Sequence, residues 1–123
     1  MVSSSSYGVT SGGTGYAWGY IADGNLGIGV ITGSILTPTA ICGGIVFRKI
    51  RGGSNNFAIG ISTTGVAYGW GQGLEGKLGV NSTASSSVPV AVCGGLNLCE
   101  IAVGISHTLA LTSVGVAYAW GIS

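Results

Sequence analysis

Apolar and polar residues alternate along short stretches of this chain, and the alternation marks strands. In "GVAYAWG" (Gly115 to Gly121), Val116, Tyr118 and Trp120 fall on one face and Ala117 and Ala119 on the other. Just upstream, "HTLALTS" (His107 to Ser113) sets Leu109 and Leu111 against Thr108 and Ala110. The short gap at Val114 and Gly115 joins the two as a hairpin. "CEIAVG" (Cys99 to Gly104) predicts a third strand and "VPVAVC" (Val88 to Cys93) a fourth. Pro89, near the start of that fourth strand, suits a strand end or a sheet edge. No stretch holds a helical period, so the expected fold is all-β with essentially no α-helix.

The phrases recur. "GTGYAWG" (Gly13 to Gly19) and "GVAYGWG" (Gly65 to Gly71) echo "GVAYAWG", and Trp18, Trp70 and Trp120 lie 52 and 50 residues apart. Pro38 and Pro89, the Cys-Gly-Gly phrases at Cys42 and Cys93, and Ile50 and Ile101 repeat at 51. The turns "DGNLG" (Asp23 to Gly27) and "EGKLG" (Glu75 to Gly79) repeat at 52. A small sheet with two apolar faces cannot bury both alone, and stacked neighbours bury them for each other. Four-stranded units with a Trp at this period predict propeller-type blades. Tyr16, Trp18, Tyr68, Trp70, Tyr118 and Trp120 are then the residues that pack between blades.

With the strands of a blade lettered A to D, the chain reads B C D, A B C D, A B C. It forms one repeat domain over residues 1–123, with units roughly at 5–49, 50–100 and 101–123. About two and a half repeats leave bare edges and open apolar faces. These are completed by oligomerisation, or the chain is part of a longer array.

Composition sharpens this picture. Gly supplies 25 of 123 residues, charged residues only 6%, and hydrophobic residues 46%, which excludes a disordered polyelectrolyte. The net charge of +1 is too small for a strong interaction with nucleic acid. Arg48, Lys49 and Arg51 cluster in "FRKIR", read as a solvated stretch of strand or turn. So weakly charged a surface does little to prevent self-association. The opening "MVSSSSYGVT" lacks the marks of a secretory leader. Leu26 to Phe47 is uncharged over 22 positions, but its repeat equivalent is too polar to insert in a bilayer, so it is read as strand and loop.

The reactive residues form no constellation. "GQGLEG" (Gly71, Gly73, Gly76) fits a dinucleotide-loop spacing, yet no helix follows, and a turn is expected. Cys42, Cys93 and Cys99 are odd in number and contain no Cys-x-x-Cys. A zinc site from these and His107 has the wrong spacing. Small buried thiols are expected, with a Cys93–Cys99 disulfide as the alternative. His107 beside Cys99 lacks an orienting third group and is read as a hydrogen-bonded structural residue. Asp23 and Glu75 are equivalent turn residues, not a catalytic pair. Asn81 begins a glycosylation sequon. No catalytic, cofactor or metal residue is assigned, and the chain is expected not to be an enzyme.

"GISHTLALTSVGVAYAWG" (Gly104 to Gly121), with "GNLGIG" or "GKLGVN" and a Pro-Val strand in other copies, resembles the regulator-of-chromosome-condensation repeat. The likeness covers nearly the whole chain, and its "CGG" spacing is similar to that of bacterial and viral relatives. It implies blades, usually seven to a closed ring. The family's best-known member promotes nucleotide exchange on a small nuclear GTPase and binds chromatin. That activity depends on the loops of a full ring and is not carried over. The repeat's His occurs once, at His107, where the other copies have Phe57 (or Asn56) and Ser5. The expected role is a structural protein that associates with copies of itself, as a ring or as an extracellular or virion fibre. The alternatives are a module binding glycan or protein in inter-blade clefts, and a piece of a scaffold like the exchange factor. No membrane span is expected.

Overall fold

A computed structural model describes residues 5–53, 56–95, 97–105 and 107–121. Ten strands run in chain order: β1 (Ser5–Val9), β2 (Gly15–Ile21), β3 (Gly33–Ala40), β4 (Phe47–Gly52), β5 (Phe57–Ser62), β6 (Ala67–Gly71), β7 (Ser86–Ala91), β8 (Leu98–Val103), β9 (His107–Thr112) and β10 (Ala117–Gly121). The only helical element among the described residues is a single 3₁₀ turn, Leu74–Gly76. The strands form three antiparallel sheets, ordered β1-β2-β3, β4-β5-β6-β7 and β10-β9-β8. Three, four and three strands match the lettered count B C D, A B C D, A B C.

The repeat in sequence becomes a repeat in geometry. Each central hairpin turns the same way. Thr10, Ser62 and Thr112 accept the backbone N–H four residues on, at 3.1, 3.1 and 3.0 Å. Gly13, Gly65 and Gly115 close these turns at φ of 91°, 89° and 93°, a region that favours glycine. The bulges repeat too. One falls at Trp18 between Ala17 and Gly19, and its counterpart at Trp70 between Gly69 and Gly71. A second pair falls between Phe47 and Lys49 and between Leu98 and Glu100. Pro38 and Pro89 lie in β3 and β7, both edge strands, where a missing N–H costs no ladder bond.

Period two divides every sheet into two faces. The forward face of the first sheet carries Tyr7, Val9 and Ala17. It packs on the rear face of the second sheet, through Phe47, Ile50, Ala58 and Trp70. The forward face of the second sheet, with Phe57, Ile59, Ile61 and Ala67, packs on Leu98, Ile101 and Ala110 at the rear of the third. The core is therefore two layers between three blades. Residues 26–47, the uncharged stretch, are loop plus β3, and no helix among the described residues is long and apolar enough to cross a membrane.

Candidate functional site

The seams between blades concentrate the named side chains. At the first seam, the turn from Asp23 to Gly27 lies under Trp70. A Cβ on Gly27 would meet the Trp70 ring at 2.9 Å, so only glycine lets the indole seat there. Trp70 is fully buried and tilts against Phe47 at 5.8 Å between ring centroids. Phe47 also meets Tyr68 edge-on at 6.5 Å, and Tyr7 meets Trp70 the same way. Asn25 pins the turn from inside: its Oδ1 accepts from Ala22 N at 2.9 Å and its Nδ2 donates to Tyr20 O at 3.1 Å. Gln72 Nε2 reaches across to Asp23 Oδ2 at 3.1 Å.

The second seam repeats the first. A Cβ on Gly79 would lie 2.8 Å from the Trp120 indole nitrogen. That nitrogen donates to the Lys77 carbonyl at 3.0 Å. Lys77 is fully buried, its Nζ bonded to Gln72 Oε1 and 5.4 Å from the centre of the Phe57 ring. A charged pair also crosses this seam. Lys49 Nζ on β4 meets Glu100 Oε1 on β8 at 2.7 Å, and Arg48 donates to Leu98 O at 3.4 Å. The basic cluster is thus partly a tie between blades rather than a purely solvated stretch. Lys49, by its hydrogen bond and its charge, holds the Glu100 carboxyl below the usual carboxylate range.

The six aromatics occupy unequal places. Trp70 is fully buried and Tyr68 half-buried, both at the first seam. Trp120 is half-buried at the second seam, and Tyr118 is half-buried on the same face. Tyr16 and Trp18 are half-buried on the rear face of the first sheet, where a Cβ on Gly8 would meet the Trp18 ring at 3.7 Å.

Other expectations change. Cys93 is exposed and Cys42 and Cys99 half-buried, so these are not small buried thiols, and all three are free. Their exposure follows from position: Cys42 and Cys93 lie in turns after the edge strands. His107 opens β9 as an exposed residue whose ring lies against Gly104, where a Cβ would come 2.5 Å from Cε1. Among the described residues no group of His, Cys, Asp and Glu could hold a metal ion. "GQGLEG" is the end of β6 followed by the 3₁₀ turn, as a turn reading requires. Asn81 is exposed in a loop at φ 59°. Tyr7, Asn25, Gln72 and Lys77 carry no signal as single residues. Only the shared slot of Asn25 and Lys77 inside the Gly-x-Leu-Gly phrase marks two of them.

The forward face of the third sheet is apolar and open among the described residues. Leu109 and Leu111 are 52% and 43% exposed, whereas Ile59 and Ile61 at the same positions of the second sheet are 0% exposed. Ala102 and Ala117 extend the patch into a shallow apolar depression.

Residues 64–111 match the model of the regulator of chromosome condensation (RCC1) repeat. The chain is 33% identical to the human E3 ubiquitin-protein ligase HERC2 over 98% of its own length, which is 3% of that protein. It is 32% identical to the ultraviolet-B receptor UVR8 of Arabidopsis thaliana over 86% of its length, 24% of the receptor. Human WBSCR16 superposes with a TM-score of 0.81 at 25% identity, over 95% of this chain and 30% of that one. Prp20p of Saccharomyces cerevisiae, described with its binding to Gsp1p and histones, superposes at 0.83 with 18% identity, over 95% and 31%. The chain spans less than a third of each. It carries RCC1-type repeats and is a segment of β-propeller. The likeness of its Cys-Gly-Gly spacing to bacterial and viral members finds no support among these relatives, which are human, plant and yeast proteins.

Proposed function

We propose that this chain is a non-enzymatic protein-binding scaffold whose open blade faces dock other polypeptides. The observation that carries it is the pair Leu109 and Leu111. They stand half in water at positions where the neighbouring blade buries Ile59 and Ile61 completely. Fully burying an exposed Leu is worth about 1.5–3 kcal/mol; these two are already half covered, so covering each is worth about half of that, and the face favours a partner shaped like a blade. Binding of Gsp1p and histones by Prp20p is a property of that yeast protein, and it supports protein rather than small-molecule recognition here. Ligase and exchange activities belong to whole proteins of which this chain matches a small part.

The finer reading is association with copies of itself. The third sheet leaves a forward face open and the first leaves a rear face open, and forward-on-rear is how both internal seams are built. Such a contact is heterologous, so it closes a ring or grows a fibre. In this reading residues 1–123 act as one repeat domain, in units near 5–49, 50–100 and 101–123. The six Tyr and Trp residues act as its inter-blade packing. A glycan role has less behind it, because Trp70 is closed inside a seam. Light scattering on a sizing column, with negative-stain images, tests the reading. Mass that rises with concentration, and falls in Leu109→Glu/Leu111→Glu, is expected. A monomer at high concentration that captures no protein would overturn it.

A further inference from the structure

Three of the chain's four cationic side chains stand on one strand. Arg48, Lys49 and Arg51 belong to β4, whose buried residues Phe47 and Ile50 face the first seam. The cations face the second. Lys49 reaches Glu100 on β8, and Arg48 reaches the Leu98 carbonyl at the start of that strand. The bulge between Phe47 and Lys49 lets the adjacent Arg48 and Lys49 share this side. Arg51 follows Ile50, so alternation turns it the same way. Both walls of this seam, β4 and β8, belong to the described chain. Lys49 holds the Glu100 carboxyl low, and the charges of Arg51 and Arg48 add to it, so all three cations act on one small region.

The packing of the repeat does not require these charges. A side chain that the seam needs has an apolar counterpart at its slot, as Phe47 has in Leu98 and Ile50 in Ile101. At the slots of Arg48, Lys49 and Arg51, β8 carries Cys99, Glu100 and Ala102. The arginine donors are also poorly used. Arg48 donates to Leu98 O at 3.4 Å, longer than an ordinary N–H···O bond. Arg51 donates at 3.1 Å to the carbonyl of its own neighbour Ile50. Each guanidinium carries five N–H donors in a fork that matches a carboxylate. Among the described residues the ion pair is Lys49 with Glu100, so neither arginine meets an acid, and both are exposed.

We propose that Arg48, Lys49 and Arg51 form a docking site for an acidic segment of a partner polypeptide, with its carboxylates paired to the two arginines. The site is separate from the Leu109 and Leu111 face. It rests on the reading of the chain as a protein-binding scaffold and supplies the chemistry of a partner. Three cations against the one carboxylate of Glu100 leave an excess of positive charge here, whereas the rest of the chain holds one cation and two acids. An acidic segment is therefore drawn to this strand. Glu100 acts as an internal competitor: it occupies Lys49 in the free chain, and it is 59% exposed, so it can swing away when a partner's carboxylate arrives. Nucleic acid is the poorer fit, because three cations neutralise too few phosphates to hold it. Charge-assisted pairs to the arginine forks supply the affinity, which salt must then weaken.

A hexaglutamate peptide added at low salt to the isotope-labelled chain provides the probe. Saturable shifts of the Arg48 and Arg51 Nε–H groups are expected, and they should fade as salt is raised. Arg48→Gln and Arg51→Gln change exposed residues, and each should weaken binding about tenfold. Glu100→Gln should tighten binding by up to about fivefold, because it releases Lys49 from a surface ion pair. Native affinity in both arginine variants, weaker binding in Glu100→Gln, or equal binding of an oligonucleotide of the same charge would overturn the site. A chain that self-associates but ignores hexaglutamate would sink this proposal and leave the scaffold reading standing. A monomer that binds the peptide would keep the site and remove self-association.

Discussion

The Tyr7 hydroxyl donates to the Asn25 carbonyl at 2.5 Å. At the next seam the same carbonyl, that of Lys77, receives the indole of Trp120. Tyr7 has taken the acceptor that Trp70 would use, and the Trp70 indole nitrogen is buried with no hydrogen-bond partner in the described structure. The first seam has exchanged an indole bond for a phenol bond, and with it gained the Tyr7 ring against Trp70.

Tyr7→Phe should therefore cost little. A net hydrogen bond is worth about 0.5–1.5 kcal/mol, and here the freed carbonyl lies open to the orphan Trp70 indole. The expected loss is at the low end of that range. Slower exchange of the Trp70 indole proton checks the idea, and an unchanged indole signal would refute it.

Alkaline pH probes the same pair. Burial pushes the Tyr7 phenol above its ordinary value, partly opposed by the Ser5 hydroxyl. A raised folded value means the contribution is complete below the unfolded phenol's pKa of about 10 and is lost as pH rises through the folded one. Denaturation midpoints should fall above that pH in the native chain and fall less in Tyr7→Phe.

Acid probes the second seam. Glu100 is held low by Lys49, so the benefit is present above the ordinary carboxylate pKa of about 4.3 and disappears as pH falls through the lowered one. The Glu100 side chain is 59% exposed, so salt should weaken the effect. In Lys49→Met the carboxyl titration followed by NMR should move up toward the ordinary range, with Arg51 and Arg48 still holding it down in part.

The two tryptophans should differ. Trp70→Ala removes a sealed ring and should cost about 3–5 kcal/mol. Trp120→Ala removes a half-exposed one and should cost less. Equal urea midpoints for the two variants would contradict the seam description.

Gly24→Ala and Gly76→Ala make a matched pair. Both place a side chain in the left-handed region, at roughly 1–2 kcal/mol. Only the first also drives a Cβ into Ser87, adding overpacking of about 1–3 kcal/mol. Thermal unfolding should rank Gly24→Ala clearly below Gly76→Ala.

Much of this fold is legible in the chain itself. Alternation fixes which residues share a face, because the strand period is two. The spacing of Trp18, Trp70 and Trp120 fixes the blade count, because each unit needs its neighbours. The turn at "GQGLEG" follows from the absence of any helical period after it. Those readings depend on local sequence and on the repeat alone.

Other features depend on where distant residues meet. Equal positions in the repeat become unequal in space: Ile59 is sealed and Leu109 stands open, because one has a blade in front of it and the other does not. Lys49 and Glu100 become partners only when β4 and β8 are brought side by side. Tyr7 looks like any strand residue until folding carries it to the Asn25 carbonyl, 18 residues away. Periodicity gives each residue a face and a slot, whereas packing between sheets decides what covers that face, and burial decides which polar groups must find partners.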